Sequence, residues 1–286
     1  VEKNVDLPCG LELPGGKLVR SAVIRKLKGQ GQIDAASLAS KKNPDNSEVM
    51  QAVLTPSVVR IGDKSCSSTI FQDMLIADTD ALLFEVVRLT AGDRVTVKDV
   101  CPDCPKGEGA TEIRDFDLSA LQVDGLDDAE GKWWLDGRIL TPEDVTKLAP
   151  EERENVRCRV FTLTNEELGV QSVFRYPRGR DRKAIGKMSG NLFEATWKLM
   201  SLTAMRWHDP EHDVEKIPPG GLHGRFWSDV DADILNWLYE AWSDAQPGVE
   251  SRFDAECPNG HEFTATASAM DFLFRVPNRR RRSKTR

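Results

Sequence analysis

Apolar residues alternate with polar ones early in the chain. Leu11-Glu12-Leu13 and Lys17 to Ile24 read as two strands about the turn signal Pro14-Gly15-Gly16. Gly29 to Asn46 is polar and reads as loop with a short helix, and Val49, Met50, Val53, Leu54, Val58 and Val59 read as helix passing into extended chain. The period then becomes helical. Asp78 is the expected cap of a helix whose apolar face is Leu82, Leu83, Val86, Val87 and Leu89, stopped by Ala91-Gly92-Asp93. Arg94 to Val100 alternates as a strand and runs into Cys101-Pro-Asp-Cys104. Thr111 to Leu118 alternates again, Trp133-Trp134-Leu135 is a short strand in a charged stretch, and Thr141-Pro142-Glu143-Asp144 is a capping signature.

A similar order follows. Strands are expected at Arg157–Leu163 and Val170–Tyr176, broken by Pro177-Arg178-Gly179. Asn191 is the expected cap of a helix running to Arg206, with a wide apolar set including Trp197 and Met200. After the connector Ile217-Pro-Pro-Gly-Gly221, Ser228 is the expected cap of a helix with Val230, Ile234, Leu235, Leu238 and Trp242 on its inner face. A strand over 249–256 leads into Cys257-Pro-Asn-Gly-His261, and Phe272-Leu273-Phe274 closes the fold. The pattern predicts an α+β protein of two similar halves, 1–150 and 151–276, followed by a basic tail, 277–286. Each half runs from hairpin strands through a basic glycine-containing loop, Arg25–Gly29 or Arg175–Gly179, to helices, a strand and a Cys-Pro knuckle.

The knuckles carry the most specific chemistry. Thiolates and imidazole suit Zn²⁺, and Cys101, Cys104, Cys257 and His261 make a complete tetrahedral set. The expectation is a zinc-ribbon-like site with one half from each repeat, structural because no position remains for water. The other readings of these motifs are ordinary turns with buried thiols or a redox Cys-x-x-Cys; the inner proline and the lack of a thioredoxin-like context weigh against the second. Cys9, Cys66 and Cys158 read as buried free thiols.

Composition narrows the function. The chain has 286 residues and a net charge of −7. No apolar run approaches the roughly 20 residues of a membrane span, no signal segment opens the chain, and the cysteine usage suits a reducing cytoplasm. Arg279, Arg280, Arg281, Arg282, Lys284 and Arg286 crowd the last eight positions; subtracting their six charges leaves −13 on the body. That tail suits nucleic acid, an acidic partner or plain solvent. The cluster Arg175, Arg178, Arg180, Arg182, Lys183 and Lys187 suits phosphate, an acidic face or internal ion pairs. His208 and His212 have helical spacing, but Pro210 between them breaks the geometry, and His223 reads as a loop residue. There is no Gly-x-Gly-x-x-Gly, P-loop or Gly-x-Ser-x-Gly, so a non-enzymatic protein is expected. A zinc-ribbon nucleic-acid-binding module using the Arg-rich tail is the alternative, and a metal enzyme using His208, His212 or His223 a third reading.

Leu11-Glu-Leu-Pro-Gly-Gly16, Phe174-Arg-Tyr-Pro-Arg-Gly-Arg-Asp181 and the final knuckle with Phe272-Leu273-Phe274-Arg275 occur in an order that resembles the tailed-phage baseplate hub and tail-assembly proteins. The resemblance covers most of the chain through short, degenerate motifs. It implies a structural or assembly role without enzymatic activity, other tail proteins as partners, and a location in the virion tail or in the host cytoplasm during assembly. The Arg-rich extension after Pro277 and the three-Cys, one-His ligand set depart from the pattern.

Overall fold

A computed structural model describes residues 2–41, 45–105, 110–185, 192–215, 217, 221–222 and 224–266. The first half opens with the hairpin β1 (Glu2–Leu13) and β2 (Lys17–Arg25), then α1 (Gly29–Ala39) and α2 (Asn46–Ser57). It continues through β3 (Val58–Ile61), β4 (Lys64–Ser65), α3 (Ser68–Asp73), α4 (Ile76–Ala91), and the ribbon β5 (Arg94–Val100) and β6 (Ala110–Asp117). A connecting region holds β7 (Val123–Asp124), β8 (Lys132–Leu135), β9 (Arg138–Leu140), α5 (Pro142–Lys147) and α6 (Pro150–Arg153). The second half then repeats the first: β10 (Cys158–Asn165), β11 (Val170–Arg175), α7 (Gly179–Ile185), α8 (Leu192–Thr203), β12 (Ala204–His208), β13 (Asp213–Val214), α9 (Gly224–Trp227) and α10 (Ala232–Asp244). After β14 (Gly248–Val249) it closes with the ribbon β15 (Arg252–Glu256) and β16 (Glu262–Thr266).

The sheets repeat as well. The first is ordered β1-β2-β3-β4, and the second contains β10-β11-β12-β13 in the same succession. The basic loops fall at equivalent places, because Arg25 and Arg175 each end the second strand and Gly29 and Gly179 each begin the next helix. One difference separates the copies. β8 and β9, although on the N-terminal side of residue 150, extend the second sheet beyond β10, with Trp133 opposite Arg159 and Trp134 opposite Cys158. Trp133, Leu135, Leu140, Val145 and Val156 give this hairpin a small core of its own.

Several expected boundaries move for physical reasons. α1 occupies a stretch whose polar composition hides it, with only Gly31 and Ala35 buried. α8 ends at Thr203 because Ala204 to His208 pairs with β11 as β12. α10 begins at Ala232 with Asp231 rather than Ser228 in the cap position. α4 begins at Ile76, so Asp78 is not its cap. Its carboxylate, fully buried, instead accepts from the backbone N–H groups of Cys9 (2.8 Å) and Gly10 (3.3 Å) at an irregularity in β1, where Gly10 has φ 82°. The expected Asn191 cap and the closing Phe272-Leu273-Phe274 segment lie outside the described residues.

The first core packs β1, β2 and β3 against α2 and α4, with Leu7, Ile24, Val53, Leu54, Ile61 and Leu82 buried in it. The second is aromatic. Trp207, Phe174 and Trp227 are buried among Leu238 and Trp242, and Trp207 meets Trp227 edge-on at 5.3 Å.

Arginines of the second half close the seam between the halves. Glu12 of β1 has a side chain only 1% exposed. One of its oxygens accepts from the backbone N–H (3.1 Å) and Nε (2.9 Å) of Arg159, and the other accepts from Arg178. Arg182 makes a two-pronged pair with Asp80 (2.7 Å each), and Arg180 pairs with Asp73 (2.7 Å). Within the second half Arg175 grips Asp181 through both carboxylate oxygens (2.6 and 2.8 Å). The turn bearing these arginines lies flush against the first half. Gly179 N–H donates to Met74 O (2.9 Å), and a Cβ at Gly179 would fall 2.0 Å from Phe71 O, so this position has no room for a side chain.

Two predictions follow from the buried carboxylates. Truncating Glu12→Ala leaves the buried Arg159 with only the largely exposed Asp128, 3.9 Å away, as a counter-charge, and loss of one partner of such a network costs about 3–5 kcal/mol; chemical denaturation is expected to show that loss, whereas Glu143→Ala, at an exposed i,i+4 pair with Lys147, shows well under about 1 kcal/mol. Burial raises the Asp78 pKa from 3.8 to about 6 against the opposing pull of the Cys9 and Gly10 amides, Arg159 and Arg20. The folded chain therefore holds this proton more tightly than the unfolded one, and the contribution of Asp78 to stability falls as pH rises through that window. Asp78→Asn removes the effect, so its stability relative to wild type is expected to improve by roughly 2 kcal/mol between pH 4 and pH 7. Equal pH dependence of the two proteins would refute the assignment.

Candidate metal centre

Two antiparallel ribbons bring the knuckles together. β5 pairs with β6, and β15 with β16. Phe116 of the first ribbon stacks on Phe253 of the second at 4.4 Å, and Thr266 N–H donates to the Asp99 carboxylate (2.9 Å). These contacts align the ribbons so that the turn after β5 faces the turn between β15 and β16. In the second turn Gly260 adopts φ 80°, Gly260 N–H donates to Cys257 O (2.9 Å), and Cys257 N–H donates to His261 O (2.9 Å). In the first, Cys104 N–H donates to Cys101 O (3.4 Å). Each turn thus presents its two ligand side chains to the same point.

All four expected ligands converge. The Sγ atoms of Cys101, Cys104 and Cys257 and a ring nitrogen of His261 lie within 4.8 Å of one another, although the two pairs are more than 150 residues apart in sequence. Cys104 Sγ is 3.7 Å from Cys257 Sγ and 3.3 Å from His261 Nδ1, and Cys101 Sγ is 3.9 Å from the same nitrogen. A tetrahedral ion with Zn–S bonds of about 2.3 Å requires sulfurs about 3.8 Å apart, so these separations suit one central ion. Hydrogen bonds to sulfur favour the thiolate form that a metal needs. Asn259 Nδ2 donates to Cys104 Sγ (3.3 Å) and His261 N–H to Cys257 Sγ (3.4 Å). Burial works to raise the Cys257 pKa, yet the backbone N–H groups of His261 and Asn259 and the neighbouring thiols bring it below the ordinary cysteine value. Cys101 and Cys257 are buried, Cys104 is half-buried and His261 exposed. Phe263 and Ala265 pack with the cysteines on the inner side. The residues can therefore bind a metal, and among the described residues no other group of three or more such ligands converges.

The remaining candidates fall elsewhere. His212 Nδ1 sits 3.0 Å from Asp209, whereas His208 Nδ1 sits 3.4 Å from Asp213, so the two rings are held by different carboxylates. Asp209 is buried and accepts from Trp207 Nε1 and from the backbone N–H groups of Glu211 and His212, which makes this loop a structural turn. Arg175, Arg178, Arg180 and Arg182 are committed to internal carboxylates. Lys187, His223, Arg279, Arg280, Arg281, Arg282, Lys284 and Arg286 lie outside the described residues. The Glu12–Arg159–Arg178 network has no local signature in the sequence. An isolated acid on the strand Leu11-Glu12-Leu13 gives no sign of partners about 150 residues away.

Metal quantitation on purified protein checks the centre. Cys101→Ser and Cys257→Ser are expected to lose the bound ion and to unfold at lower temperature, while His208→Ala retains both metal and stability. Chelation is expected to loosen the two ribbons first, read as faster amide exchange at 94–104 and 252–266.

Comparison with protein-family models, with curated proteins and with solved structures finds no match to this chain.

Proposed function

We propose that this chain is a non-enzymatic structural or assembly protein of a bacteriophage tail baseplate or hub, with a structural Zn²⁺ holding its two halves together and other tail proteins as its partners. The observation that carries the architectural part is the closed ligand set, Cys101, Cys104, Cys257 and His261. Four protein donors fill a tetrahedral ion, whereas hydrolytic zinc keeps a position for water. The ligands also come from two different ribbons, as expected of a clasp. The tail assignment rests on the order of Leu11–Gly16, Phe174–Asp181 and the second knuckle along the chain. In the fold the first and second motifs meet, because Glu12 of one and Arg178 of the other are direct partners. The place of action on this reading is the tail itself or the host cytoplasm while tails are built.

A tagged chain expressed in cells that are producing the phage tests the proposal. Mass spectrometry of the captured material is expected to contain baseplate or hub proteins, and Cys101→Ser is expected to reduce their recovery at least tenfold. The presence of the chain in purified virions identifies a resident component, and its restriction to assembly intermediates identifies an assembly factor. Recovery with no tail component would sink the proposal.

A further inference from the structure

A pocket of about 350 Å³ opens across the seam between the halves. The first half contributes Leu13 of β1, Lys64 of β4 and Ile70 of α3. The second contributes Arg157, just before β10, and Arg178 and Arg180 at the start of α7. Four cationic side chains thus line one cavity in a chain whose net charge is −7. Two of them are held in place. Arg178 donates to Glu12 (2.5 Å) and to Arg157 O (2.6 Å), and Arg180 donates to Asp73 (2.7 Å). Glu12 is shared with the buried Arg159, so it does not belong to the pocket alone. Lys64 and Arg157 are exposed, and neither has an ion-pair partner among the described residues. Setting Glu12 and Asp73 in full against the four cations still leaves two positive charges facing the cavity. A concave site lined by one sign of charge concentrates the opposite ion.

The residual charge and the apolar wall together select a ligand class. Two uncompensated cations match a dianion better than a single carboxylate, and a phosphate monoester carries close to two negative charges at neutral pH. Guanidinium forks and a lysine ammonium are the groups that phosphate oxygens accept from. The rest of the wall includes half-buried Leu13 and Ile70 and exposed Pro14. A bare anion gains nothing from that surface, whereas the organic body of an ester does. The volume lies near the lower end of the range for small-molecule sites, roughly 300–1,000 Å³. We propose that this pocket binds the dianionic phosphate group of a small organic phosphomonoester, with Lys64 and Arg157 as its free cations. Arg178 and Arg180 add fixed charge, and Leu13, Pro14 and Ile70 meet the body of the ester. Because Lys64 belongs to the first half and the arginines to the second, the ligand bridges the seam and stabilises the fold by linkage.

Calorimetric titration of the full, metal-loaded chain with phenyl phosphate, at neutral pH and constant ionic strength, tests the inference. One site per chain is expected. Phenyl sulfate, with the same shape and one charge fewer, is expected to bind about tenfold more weakly, and inorganic phosphate, with no apolar body, about fivefold more weakly. Lys64→Gln and Arg157→Gln are each expected to weaken phenyl phosphate about fivefold or more, with metal content and unfolding temperature of the unliganded chain unchanged, because both side chains are exposed and unpaired. Lys147→Gln, at a cation outside the pocket, leaves the affinity unchanged. Absence of saturable phenyl phosphate binding overturns the inference. So does equal affinity for phenyl sulfate or inorganic phosphate, which identifies an indiscriminate anion patch. Affinity that survives both substitutions places the ligand elsewhere and also overturns it. Tighter binding of a glutamyl-glutamate dipeptide than of phenyl phosphate overturns it in favour of an acidic protein segment.

Discussion

A single buried carboxylate sets the terms on which the halves meet. Glu12 sits in β1 with almost no access to water, and an ionised group there is tolerable only while its oxygens are taken up by donors. Those donors are Arg159 and Arg178, both from the second half. The first sheet therefore carries an uncompensated charge unless β10 and the turn after β11 lie against it. Arg182 with Asp80 and Arg180 with Asp73 extend the same logic along the seam, at positions nearer solvent and hence of smaller weight. Gly179 permits the close approach that brings these arginines to their partners.

The metal centre works on different physics. The ion pairs act through desolvated charge at the seam, whereas the knuckles join two thin ribbons that have little core of their own, chiefly Phe116 on Phe253 and the small cluster around Phe263. Two-stranded ribbons are marginal alone, so an ion held by the four ligands would supply what burial cannot. The halves thus meet at two places of unlike chemistry.

Local signals account for what the sequence makes legible. The Pro14-Gly15-Gly16 turn, the α4 apolar face, the alternation from Arg94 to Val100 and both knuckles are written in neighbouring residues, and the fold contains each of them. The pairing of the knuckles was also accessible, because an incomplete ligand set in each half asks for the other. What escapes is information held between distant residues. Asp78 has the chemistry of a helix cap, but its partners are the amides of Cys9 and Gly10. Ala204 to His208 continues the apolar character of α8, and only the open edge of β11 makes it a strand. The basic loop around Arg178 advertises charge, yet nothing nearby says that Glu12, Asp73 and Asp80 will absorb it.

The spacing of the metal ligands also bears on the order of events during synthesis. Cys101 and Cys104 emerge from the ribosome about 150 residues ahead of Cys257 and His261. At translation rates of about 5–20 residues per second the first pair waits roughly eight to thirty seconds for the second. Through that interval two thiols stand ready with half a coordination shell, exposed to stray ions and oxidants. The ligand shell can be completed only after the second half has been made, so an ion bound there would certify that translation has passed His261 and that both halves have found each other.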